Sequence, residues 1–109
     1  MKIFEKLNSI RAFQRTNMPY LESLEDYDIV CEIGAAQEGG MVFIPKRLIE
    51  DNLGAPATIR RRLDRLVKLG IVTKGQGKDD HRTAPLQLTR DAIKAYAKLE
   101  KLIERLDKE

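Results

Sequence analysis

Apolar positions recur along the 109-residue chain with a helical period at both ends, and in short runs between glycines and prolines in the middle. Residues 2–15 set Ile3, Leu7 and Ile10 on one helical stripe, with Phe4 and Phe13 beside it, and Thr16-Asn17-Met18-Pro19 breaks that helix. Ser23 predicts an N-cap with Glu25 and Asp26 in the first turn, where acids suit the helix dipole. That helix runs to Gln37 and ends at Gly39-Gly40. Residues 41–44 (Met-Val-Phe-Ile) are too short an apolar run for a helix and predict a buried strand. Pro45 then opens a helix that turns Leu48, Ile49 and Leu53 inward and stops at Gly54.

Pro56 opens a further helix with Ile59, Leu63, Leu66 and Val67 on one face, ended by Gly70. Residues 71–74 read as a strand and residues 75–80 as a glycine-rich polar tip. Residues 83–88 read as a returning strand with Leu86 and Leu88 on one side, Gln87 on the other, and Pro85 restricting its pairing. Thr89 caps a last helix that keeps Ala92, Tyr96, Leu99, Ile103 and Leu106 in one stripe. The order predicts a mainly α fold with a small β-sheet (α+β): a winged helix-turn-helix with extra terminal helices. The expected organisation is one domain over 1–109, with a dimerisation helix at 1–16, a winged-helix core at 23–89 and a second dimerisation helix at 90–107.

Charge sharpens this picture. The net charge is only +3, but residues 56–90 hold nine Lys/Arg against three acids, while the remaining chain is net acidic. A basic block beside acidic flanks marks a local surface able to face phosphate. Thr58, Arg61, Arg65 and Lys68 form one stripe opposite the apolar face of the second helix of the helix-turn-helix, flanked by Arg60 and Arg62. Guanidinium groups fork onto guanine or phosphate, and the first turns of a recognition helix are the part that reaches bases. Thr58, Arg60 and Arg61 are therefore assigned to base or near-base contact, and Arg65 and Lys68 to phosphate. Arg62 is open between DNA and an acid of the preceding helix. In the hairpin, Lys74 and Lys78 bracket the glycine tip, Arg82 suits a narrow minor groove, and Asp80 can steady Arg82 by charge pairing.

Residues 53–91 resemble the multiple-antibiotic-resistance-regulator (MarR) family. The resemblance rests on Ala55-Pro56-Ala57-Thr58 at the start of the recognition helix, Leu66 with Gly70-Ile71-Val72 at its exit, Asp80-His81-Arg82 in the wing, and Leu88-Thr89 before the next helix. It implies a winged-helix transcription regulator, a repressor in this reading, with Arg82 as the wing arginine and Asp80 its partner. Ala55 departs from the polar residue usual at that position and removes one cap contact. The resemblance also leaves room for oxidant sensing by a cysteine.

Two further expectations concern partners. Ile3, Leu7, Ile10, Tyr96, Leu99, Ile103 and Leu106 are assigned to a homodimer interface, the alternative being that the terminal helices pack on their own domain. A two-fold dimer would place two recognition helices about one turn of DNA apart on a pseudo-palindromic site. The expected partner is thus double-stranded DNA, with a protein-binding winged helix as the competing reading. Cys31 reads as a core residue, and a single Cys and a single His supply no metal set. No cofactor, metal or enzymatic activity is expected. The absence of a signal-peptide pattern and of any run near 20 apolar residues places the expected site of action in the cytoplasm.

Overall fold

The computed structural model describes residues 2–75 and 84–109. The helices are set by their ends. Helix α1 spans Ile3–Asn17 and α2 Leu24–Glu38. The Ser23 hydroxyl accepts from the Asp26 N–H while the Asp26 carboxylate accepts from the Ser23 N–H, a reciprocal capping box that satisfies donors a helix start leaves unpaired. At the other end, Gly40 takes φ 68° and the Met41 N–H closes onto the Ala36 carbonyl at 2.8 Å. Helix α3 is a short turn over Pro45–Glu50, and α4 runs Pro56–Lys68. Its start at Ala55 has no side-chain cap, and its end repeats the same left-handed closure: Gly70 at φ 75°, Gly70 N–H to Val67 O at 3.1 Å and Ile71 N–H to Leu66 O at 3.0 Å. Helix α5 occupies Arg90–Asp107, and the Thr89 hydroxyl accepts from the Ala92 N–H.

Strands β1 (Val72–Lys74) and β2 (Leu86–Leu88) pair antiparallel with Val72 opposite Leu88 and Lys74 opposite Leu86. Leu86 and Leu88 face the core and Gln87 faces out, as the alternation predicts. The strand expected at residues 41–44 is reduced to one bridge, in which the Leu86 N–H donates to the Phe43 carbonyl at 2.8 Å. Phe43 is buried, but Met41 and Val42 are 62% and 74% exposed, because one bridge orders only the residue that makes it. The Gln37 side chain finishes this side of the sheet by accepting from the Leu88 N–H at 2.9 Å.

One core joins these elements. Ile29, Val30 and Ile33 of α2 meet Leu48 of α3, Ile59, Leu63 and Leu66 of α4, and Val72 and Leu86 of the sheet. Burying each such side chain is worth about 1.5–3 kcal/mol. The α3–turn–α4 unit and the following hairpin therefore form a winged helix-turn-helix seated on α2.

The terminal helices correct part of the sequence reading. α1 and α5 pack together within one chain, joined at their outer ends by a Lys6–Asp107 ion pair at 3.1 Å. Arg11 of α1 stacks 4.6 Å from the centre of the Tyr27 ring of α2. Leu99 and Leu106, assigned to a dimer interface, are buried in the chain's own fold, and Ile10 and Tyr96 are half-buried there. The heptad-like stripe of α5 thus contributes first to an intramolecular core. Ile3, Leu7 and Ile103 stay exposed, as does Phe4, which the interface assignment omitted. Cys31 is also exposed rather than in the core. Its position beside Val30 put it one residue off the inward face of α2. No helix among the described residues is long and apolar enough to cross a membrane.

Candidate nucleic-acid interface

Helix α4 is amphipathic in a way that divides its cations. Ile59, Leu63 and Leu66 hold its inner face against α2. Arg60, Arg61 and Lys68 stand exposed on the outer side. Among the described residues none of them is held by a hydrogen bond or ion pair. Together with Ala57, Asp64, Arg65 and Leu69 they line an open concavity along the helix. Among the described residues that line it, Asp64 is the one acid. Thr58 is half-buried in the first turn of α4.

Arg62 and Arg65 are placed otherwise. The Arg62 Nε donates to Asp26 Oδ1 at 2.8 Å, its Nη2 donates to Asp26 Oδ2, and Nη2 also reaches Glu22 Oε1 at 3.2 Å. Asp26 is fully buried, so this is a forked ion pair at the root of α2 rather than a surface contact. One helical turn on, Arg65 Nη1 donates to the Tyr20 carbonyl at 2.9 Å, and Nη2 pairs with Glu22 Oε1 at 3.1 Å. The expectation that Arg65 is a free phosphate-facing cation is corrected: it borders the outer concavity, but its guanidinium is already engaged. Arg62 pairs with an acid, as one of its two readings allowed. The acid lies two helices back, on α2, and not on the preceding helix α3.

The electrostatics follow the geometry. Burial alone pushes the Asp26 carboxyl up; the Arg62 fork and the N–H groups of Glu22 and Ser23 outweigh it and hold the group below the ordinary carboxylate value. The same hydrogen bonds to Asp26 push Arg62 further into its charged range. Partial desolvation raises the thiol of Cys31, on a residue that is otherwise exposed, and Asp28 and Glu32 push it the same way, which disfavours the reactive thiolate.

Lys74 is half-buried on β1 at the base of the hairpin. Lys78, Asp80 and Arg82, the predicted tip lysine, support and wing arginine, lie outside the described residues. A second concavity, apolar in character, opens between α2 and α5 and is walled by Cys31, Gly34, Leu88, Ile93, Tyr96 and Ile103. No group of three or more His, Cys, Asp or Glu among the described residues is placed to hold a metal.

Sequence reasoning missed Asp26, Glu22 and the Tyr20 carbonyl as partners of α4. The Ser23-x-x-Asp26 spacing does signal a capping box, but it does not reveal the arginine that reads the same carboxylate from across the core.

No family model matches the sequence, and no curated protein matches it. Solved structures do match its fold. A point variant of S. aureus MepR superposes with a TM-score of 0.65 at 11% identity, covering 96% of this chain and 75% of that one. A point variant of E. coli MarR complexed with operator DNA gives 0.61 at 20% identity, over 92% of this chain and 69% of that one. S. aureus MarR in complex with salicylate and kanamycin gives 0.63 at 17% identity, over 94% and 68%. The chain therefore has the winged-helix fold of the MarR-type regulators.

Proposed function

We propose that this protein is a sequence-specific DNA-binding transcription regulator, a repressor, that acts as a homodimer in the cytoplasm. The observation that carries the reading is the exposed trio Arg60, Arg61 and Lys68 on the outer face of α4, unpaired among the described residues. A cation left free in a helix whose other arginines are tied off is available to an external anion, and the phosphates and base edges of a duplex groove offer one. The same fold has been solved in E. coli MarR with operator DNA, which supports the reading by analogy of fold.

In this reading α4 lies in the major groove. Thr58, Arg60 and Arg61 reach toward bases from its first turns, and Lys68 meets phosphate at its far end. The sequence of the hairpin tip adds Lys78 and Arg82 at the minor groove, with Asp80 steadying Arg82, and Lys74 at the base. A second copy docks on the exposed Ile3, Phe4, Leu7 and Ile103 of the terminal helices, which would otherwise stay in water.

Selection of binding sites from random duplexes tests the reading directly. The expected result is a pseudo-palindrome with half-sites about 10 base pairs apart. No enrichment over the starting pool refutes it and favours the protein-binding alternative.

A further inference from the structure

The inner face of α4 is an apolar surface, and apolar contacts carry no direction. Ile59, Leu63 and Leu66 hold α4 onto α2, and such contacts resist a small rotation of the helix about its own axis less sharply than a hydrogen bond of fixed geometry does. Recognition by Arg60, Arg61 and Lys68 needs that rotation fixed. A turn of about 20° moves a side chain about 6 Å from the axis by about 2 Å, enough to break a hydrogen bond confined to about 2.7–3.2 Å.

We infer that Arg62 and Arg65 are the positioning residues that supply this constraint, an inference that rests on the DNA-binding reading above. Arg62 meets Asp26 through two nitrogens on two oxygens, a planar fork that tolerates little rotation. Asp26 is itself immobilised. It is fully buried, it closes the capping box with Ser23, and it accepts from the Glu22 N–H at 2.9 Å and the Ser23 N–H at 3.1 Å. The arginine therefore docks on the helix start of α2 and not on a free side chain. Arg65 adds a second tie three residues along α4, to the Tyr20 carbonyl and to Glu22. Two ties a turn apart set both the rotation and the tilt of the helix. Tyr20 and Glu22 belong to the segment joining α1 to α2, so the pose of α4 is referred to that connection as well as to α2.

The alternative for these arginines is direct phosphate contact. The two roles separate in Arg62→Lys, which keeps the charge and loses the fork, and in Arg62→Met, which loses both. Two measurements are made on full-length protein at a temperature where circular dichroism shows each variant folded. The first uses spin labels at Asp28→Cys and Asp64→Cys in a Cys31→Ser background, and reads the α2–α4 distance without DNA. The second compares affinity for the selected duplex and for random duplex across a salt series.

Positioning predicts that both variants broaden or shift the label distance. Both also lose at least about tenfold in preference for the selected duplex, with the salt slope of Arg62→Lys unchanged. An unchanged label distance overturns the inference. So does a shifted distance with selectivity intact, or a fall of about one in the salt slope of Arg62→Met with selectivity intact, which marks a phosphate contact. If the parent protein binds no duplex, the DNA reading fails and recognition with it. The label distances then still decide whether the arginines set the pose of α4.

Discussion

Arg62 and Asp26 lie 36 residues apart in the chain, yet the Arg62 guanidinium meets both oxygens of a carboxylate that water does not reach. The pair has a consequence for stability that its neighbours do not share. Removing Arg62 takes the forked partner from a buried carboxylate and leaves it the Glu22 and Ser23 N–H groups and Arg65 Nη1 at 3.5 Å; breaking a buried pair costs about 3–5 kcal/mol when nothing else holds the remaining charge. Arg62 itself keeps some contact with solvent, so Arg62→Ala is expected at the lower end, about 3 kcal/mol. Glu22 is more than half exposed, and Glu22→Gln is expected to cost no more than about 1 kcal/mol although it contacts both arginines. Urea midpoints measure the contrast; equal losses in the two variants would contradict the burial argument.

The same carboxylate predicts an acid response. Its folded value lies below the ordinary value of 3.8, so the unfolded chain takes up the proton first as pH falls. The stabilisation is complete above the unfolded value and is lost as pH drops through the folded one. Unfolding free energy should therefore decline below about pH 4, and Asp26→Asn should flatten that decline. An unflattened slope in Asp26→Asn would assign the acid response to other carboxylates.

Two phenols predict an alkaline response. The hydroxyls of Tyr20 and Tyr96 are buried without a hydrogen-bond partner among the described residues, and burial pushes Tyr20 from 10.0 to about 12 and Tyr96 in the same direction. Absorbance titration should show these two tyrosines un-ionised at pH 10, with stability falling as the pH rises from there toward 12. An unpaired buried hydroxyl costs about 1–3 kcal/mol, so Tyr96→Phe should be neutral or stabilising. A loss of more than about 1 kcal/mol in that variant would reveal a hydrogen bond to the hydroxyl.

How much of this was legible beforehand divides along sequence distance. The caps at Ser23 and Thr89 and the stops at Gly40 and Gly70 are local and were readable, as was the alternation of Leu86, Gln87 and Leu88. Residues 41–44 misled because apolar content predicts burial, whereas only Phe43 finds a strand partner in Leu86. The stripe of Thr58, Arg61, Arg65 and Lys68 was correct as periodicity. It could not show that Arg65 bends back to Tyr20 and Glu22, since those partners come from a connection 45 and 43 residues upstream. Leu99 misled for a related reason. A heptad-like stripe announces a helix partner but not whether that partner is α1 of the same chain or a second copy.

The cations of α4 predict a division in DNA binding. Arg61→Ala is expected to cost about 1–3 kcal/mol on the selected duplex and to relax preference at one base pair if the guanidinium forks a guanine. Lys68→Ala is expected to weaken all duplexes alike and lower the salt slope by about one. Neither should move the urea midpoint, because both side chains are exposed and unpaired among the described residues. Unchanged affinity in both variants would remove the recognition assignment.

The terminal helices separate folding from assembly. Leu99 is 6% exposed in the single chain, so Leu99→Asp buries an unpaired charge and should unfold the protein rather than divide a dimer. Phe4 is 75% exposed, with Ile3 and Leu7 beside it at 60% and 44%, so Phe4→Glu leaves the intramolecular core intact. If these side chains meet a second copy, Phe4→Glu should lower the sedimenting mass from a dimer to the 12.5 kDa monomer, with circular dichroism unchanged. It should also weaken binding to the palindrome more than to a single half-site, because two linked recognition helices gain effective concentration that a lone one lacks. A mass that stays at the dimer value would move the interface elsewhere, and a parent protein that sediments as a monomer would refute the homodimer.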